Sequence, residues 1–108
     1  MSGIERIAAE RKRQIEEEGF TAERDDFEND REQLAKAAAC YALPDFYRFH
    51  DVDSGDISPV ALWEHLWPWE MKWWKPTPEN RIRELEKAGV LIAAEIDRLI
   101  RLEAHDDQ

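Results

Sequence analysis

The last quarter of the chain carries the pattern that most restricts its fold. Ile82, Leu85, Gly89, Ile92, Ile96 and Leu99 recur at spacings of three, four, three, four and three. That period belongs to a helix presenting one stripe, a heptad-type seam with Gly89 as a point of close approach. Leu91 and Ile100 widen the stripe. No alternating run of strand length occurs anywhere in the chain, so the other elements read as helices too. The expected fold is all-α: one domain over residues 1–108, a small helical bundle of three main helices with a short fourth helix and a Trp-rich loop. A chain of 108 residues supplies one core.

Stop and start signals set the boundaries. Ser2 and Glu5 have capping-box spacing at the start of a helix over about 3–18, with Ile4, Ile7, Ala8, Arg11 and Ile15 on one face and Gly19 as its stop. An acidic connector, 19–29, follows. Asn29 with Glu32 reads as a second capping box, opening a helix over about 30–43 whose Ala-rich centre lets a neighbour approach closely. Residues 44–58 read as a loop. Ser58-Pro59 starts a short helix over 59–66, residues 67–76 form the Trp-rich loop, and Thr77-Pro78 starts the last helix, 78–102. Residues 103–108 read as a frayed tail.

Charge narrows function. The net charge of -10 argues against binding a nucleic-acid backbone or an anionic membrane. No apolar run approaches the roughly 20 residues of a membrane span. The charged start and the single cysteine, Cys40, read as cytoplasmic. Residues 16–32 hold nine carboxylates against Arg24 and Arg31. Two functional readings follow: a divalent-metal site using Glu17, Asp25, Asp26 and Glu32, or a protein-binding acidic face. A solvated turn is the plain alternative.

All five tryptophans fall between Trp63 and Trp74. Most are expected to complete an undersized core. The binding candidates are Trp69, Lys72, Trp73, Trp74 and Lys75, because lysines beside indoles suit a phosphate-bearing aromatic ligand. Residues 51–56, DVDSGD, fail as a calcium loop: position six is Asp56 instead of glycine, and position twelve is Leu62 instead of glutamate. His50, His65 and His105 have no metal-ligand spacing, and Cys40 reads as a small buried residue.

The segments ERKRQIEEEGFTAERDD, LAKAAACYA, WPWEMKWWKP and REL-EKAGVLIAAEIDRL together resemble a family of small bacteriophage and prophage proteins. The resemblance implies a helical fold and a phage accessory role in the bacterial host. A more distant similarity is to the all-α MazG-like nucleotide pyrophosphohydrolases, which hold Mg²⁺ with acidic pairs spaced three apart. Here Glu16, Glu17 and Glu18 are adjacent, Glu95 and Asp97 are two apart, and the pair with the right spacing, Asp25 and Glu28, falls in the connector.

The expectation is a non-enzymatic accessory binding protein with no cofactor. It would dock on a host protein, such as a defence system, or on a small phosphorylated ligand, through Asp25, Asp26 and the Trp-rich loop. The alternatives are a Mg²⁺-dependent nucleoside-triphosphate pyrophosphohydrolase and a structural oligomer. A homodimer would pair through Ile82, Leu85, Gly89, Ile92, Ile96 and Leu99.

Overall fold

A computed structural model of the chain describes residues 1–44, 51–52 and 60–106. The fold is all-α. Five α-helices appear among the described residues: α1 (Gly3–Glu18), α2 (Ala22–Glu28), α3 (Gln33–Ala42), α4 (Leu62–Leu66) and α5 (Arg81–Asp106). A 3-10 turn spans Met71–Trp73. A two-residue antiparallel ladder joins β1 (Asp51–Val52) to β2 (Val60–Ala61). The Ser58-Pro59 start signal and most of the 44–58 loop lie outside the described residues. No helix among the described residues is long and apolar enough to cross a membrane.

α1 forms as its ends dictate. The Glu5 N–H donates to Ser2 Oγ at 3.2 Å and the Ser2 N–H donates to Glu5 Oε1 at 3.0 Å, a reciprocal cap. Gly19 takes the left-handed conformation, φ 71°, and ends the helix.

The connector is not irregular. Thr21 Oγ1 accepts the Arg24 N–H, Glu23 and Asp25 occupy the favourable first turn, and α2 results. This displaces the capping box read at Asn29 and Glu32. Asn29 ends α2, with its N–H donating to the Asp25 carbonyl, and its side chain is committed elsewhere. Glu32 instead adopts φ 63° with no side-chain capping hydrogen bond, and α3 starts at Gln33. The last helix also starts late: Pro78 lies in a turn, and Asn80 Oδ1 accepts the Arg83 N–H. Its C-terminus reaches Asp106, through most of the expected frayed tail.

α5 is the long axis on which α1, α2 and α3 pack, α3 making the largest contact with it, and α4 packs on α3. Among the described residues the buried apolar side chains are Leu34, Ala37, Ala38, Cys40 and Tyr41 of α3 and Ala88, Val90 and Ala94 of α5. Small residues on both helices permit close approach. They also leave little apolar bulk inside. The α5 seam therefore does not face α3: Ile82, Leu85, Ile92, Ile96 and Leu99 are each 41–59% exposed. The stripe assigned to α1 is likewise displaced, with Ile4 and Ala8 exposed and Glu10 buried. Gly89 is a close-approach point for α1, since a Cβ there would lie 2.4 Å from Ile7 Cδ1.

Ion pairs tie the helices where apolar bulk is lacking. Buried Glu10 accepts from Arg13 at 2.7 Å, from Gln14 at 3.1 Å and, across the α1–α5 contact, from Arg83 at 2.7 Å. Burial opposes ionisation of this carboxyl, but the donors outweigh it and hold its pKa down at about 2. Arg81 donates to the carbonyls of Tyr41 and Ala42, satisfying the open C-terminus of α3. Glu84, wholly buried, accepts the Thr77 N–H at 3.0 Å.

Two outcomes are expected. Gly89→Ala lowers the melting temperature despite a helix-propensity gain of about 1 kcal/mol. Adding Ile7→Ala relieves the clash, so the double variant is more stable than the two single effects summed; simple additivity in thermal melts would refute the contact. The depressed Glu10 carboxyl contributes stability that is complete above its ordinary 4.5 and is lost as pH falls towards about 2. Glu10→Gln should therefore flatten acid unfolding across that window, as followed by circular dichroism.

Candidate functional site

A cleft of about 860 Å³ opens between α1, α2, α5 and the Trp-rich segment. It is within the range of small-molecule sites. Phe20, Tyr41, Trp67, Trp69 and Trp73 supply its aromatic lining. Arg11, Arg13, Arg24, Lys75, Arg83 and Lys87 supply six cations against the four carboxylates Glu18, Asp25, Glu28 and Glu70. The lining is thus locally positive in a chain of net charge -10.

The tryptophans divide into two roles. Trp63 stacks on Trp74 at 4.9 Å, Trp74 lies 4.9 Å from the Tyr41 ring, and Trp67 packs edge-on against Tyr41 and Trp69. This cluster supplies the bulk that α3 and α5 lack. Trp73 is different. It is 54% exposed, with the Lys72 ammonium 5.3 Å and the Lys75 ammonium 5.8 Å from its ring centre. The pair at 73 and 74 is therefore split, one ring outward and one inward.

The acidic connector and the Trp-rich loop meet. The Trp69 indole N–H donates to Asn29 Oδ1 at 3.1 Å, and Asn29 Nδ2 donates to Asp25 Oδ1 at 3.3 Å. Asp25 is only 4% exposed. Its other oxygen, Oδ2, has no hydrogen bond among the described residues; the Arg11 guanidinium lies 3.9 Å from it. Burial pushes the Asp25 pKa up, and Arg11 and the Asn29 bond only partly offset it. Asn29, Arg11 and Lys87 were not identifiable from sequence; only the i,i+4 spacing of Asp25 and Asn29 hinted at the first.

The proposed metal ligands are not gathered. Glu17 pairs with Arg13, Asp26 with Arg101 at 2.8 Å, and Glu32 caps the start of α3 through backbone alone. No group of three or more His, Cys, Asp or Glu side chains suited to a metal occurs among the described residues. The set Glu17, Asp25, Asp26 and Glu32 fails because arginines already occupy two of its carboxylates and α2 turns the residues apart. Asp25 and Glu28, however, lie on one helix and line the same cleft.

Two lysines stand out. Among the described residues neither Lys75 nor Lys87 has a carboxylate within 4 Å. Lys87 Nζ donates to the Lys75 carbonyl at 2.8 Å and lies 5.5 Å from the Tyr41 ring centre. Burial, then Arg83, lowers its pKa. An anion entering here would offset the Arg83 repulsion. Lys72 is turned to solvent and pairs with Glu70 at 3.5 Å.

Cys40 is fully buried, donates to the Trp63 carbonyl at 3.6 Å, and has its thiol pushed up to about 11 by burial, so it is inert at neutral pH. His65 Nε2 is buried without a hydrogen bond among the described residues, and His105 is exposed. His50 and most of DVDSGD lie outside the described residues. Comparisons with protein-family models, with curated proteins and with solved structures find no match to this chain.

Asp25→Asn is expected to raise stability at neutral pH. An acid with a raised folded pKa favours the folded state below its unfolded pKa, and that contribution is lost as pH rises through the folded value. The variant should melt a few degrees higher at pH 7, where about 1 kcal/mol is roughly 4–8 °C, with the gap closing near pH 3. A lower melting point at pH 7 would show the Arg11 pairing to be net stabilising.

Proposed function

We propose that this chain is a binding protein that takes a small phosphorylated ligand with a flat aromatic part into the cleft, in the manner of an accessory protein carried by a bacteriophage. The observation that carries the reading is the placement of Lys75 and Lys87, without a carboxylate within 4 Å among the described residues, in the lining they share with Trp67, Trp69 and Trp73. Indole faces suit a base or similar ring, and ammonium groups suit phosphate oxygens. The acidic segment supports the alternative of a protein-docking face less well. Asp26, Glu28, Glu17 and Glu18 are already paired with Arg101, Arg24 and Arg13.

A second reading has its own observation. Asp25 and Glu28 have the three-residue spacing of a Mg²⁺-binding pair, and α2 directs both to the cleft. In a nucleotide pyrophosphohydrolase these two would hold Mg²⁺, which would neutralise charge on the triphosphate.

Titration of nucleoside mono-, di- and triphosphates, followed by tryptophan fluorescence and thermal shift, tests the first reading. A bound nucleotide should raise the melting point, Trp73→Ala should weaken binding about 5- to 150-fold, the equivalent of about 1–3 kcal/mol of stacking, and Lys87→Gln should weaken it further. No binding of any nucleotide at millimolar concentration would end it. Release of pyrophosphate with Mg²⁺, abolished by Asp25→Asn, would select the hydrolase reading over simple binding.

A further inference from the structure

We propose that the apolar face of α5 and the adjoining edge of α1 are covered by the same face of a second copy, with the two α5 helices antiparallel. This rests on a different surface from the ligand cleft and does not depend on it.

The first observation is an inverted distribution of apolar bulk. Among the described residues only Leu34, Tyr41 and Val90 are large buried apolar side chains, whereas Ile82, Leu85, Ile92, Ile96, Leu99 and Ile100 are all exposed on α5 and Ile4 is 82% exposed on α1. A chain that hides alanines and shows isoleucines has an unpartnered face. No charged side chain interrupts the seam from Ile82 to Leu99.

The second observation is the order of spacings. Three, four, three, four, three reads the same in both directions. An antiparallel copy therefore sets Ile82 opposite Leu99 and Leu85 opposite Ile96, while Ile92 meets the Ile7 side chain that covers Gly89. A two-fold interface requires this self-complementarity. Antiparallel alignment also opposes the two helix dipoles favourably.

The area is sufficient. At 1.5 Å per residue the apolar face from Ile82 to Ile100 extends about 28 Å, and a strip about 10 Å wide offers on the order of 280 Å². The edge of α1, some 24 Å long, raises the total to about 500 Å² per protomer, about 1,000 Å² in all, the threshold for a specific interface.

Sedimentation equilibrium of the full chain should give twice the 12.8 kDa chain mass. Ile92→Lys should weaken dimerisation at least about 100-fold, a change of roughly 2.7 kcal/mol. Because that variant could also lose its fold, a second measurement uses cysteine pairs. An oxidised mixture of Leu85→Cys and Ile96→Cys chains should yield the mixed disulfide, while Leu85→Cys alone should not cross-link. Positions 85 and 85 of an antiparallel pair lie about 16 Å apart, beyond the reach of a disulfide. Buried Cys40 does not compete. A monomer at roughly 100 µM, whether alone or occupied by another protein, would overturn the proposal, and so would self-cross-linking of Leu85→Cys.

Discussion

The arginines of α5 hold the rest of the molecule in place. Arg83 reaches Glu10 of α1, Arg81 reaches the carbonyl end of α3, and Arg101 reaches Asp26 of α2. Each contact joins residues distant in sequence, and each supplies direction where the core supplies little area. Exposed ion pairs contribute little in general. Glu10 is different, because it is buried and would be a desolvated charge without the donors that surround it. The small residues of α3 and α5 allow two helices to touch; the guanidinium contacts decide how the other helices lie around them.

This division of labour explains which parts of the fold were legible in the sequence. α1 was readable at both ends because Ser2, Glu5 and Gly19 act locally. The existence of α3 and α5 followed from composition and period. Helical period does not say which face is inward, however. The seam from Ile82 to Leu99 looked like the core stripe, yet the inward stripe is made of Ala88, Val90 and Ala94 with Glu84, Glu95 and Arg98. Charged residues were counted as outward, and here several are inward because each finds a partner, Glu95 with Arg98 on α5 itself and Glu10 of α1 with Arg83 of α5. The same blindness hid α2. Thr21 and the acids after it are a helix start, but the run of negative charge read as a repelling connector until Arg101 and Arg11 were brought to it.

The candidate site was half legible. The tryptophan cluster marked a region, and Trp73 with Lys75 proved to be its exposed part. The meeting of that region with Asp25 through Asn29 and Trp69 depends on a contact between residues 40 positions apart. Nothing in the spacing announces it. A buried carboxylate with one unbonded oxygen sits at that junction, which is the type of destabilised group that binding sites retain.

Arg83 and Arg101 are separated by eighteen residues, which is five complete turns of an α-helix. They project in the same direction, about 27 Å apart, and so set the distance between the points where α1 and α2 are gripped. The helix works as a ruler whose marks must also agree in phase. One residue inserted between them would turn everything beyond it by about 100° and carry Arg101 away from Asp26 while Arg83 stayed on Glu10. Substitutions along α5 can be absorbed singly, but a change in its length would unlatch one end of the protein from the other.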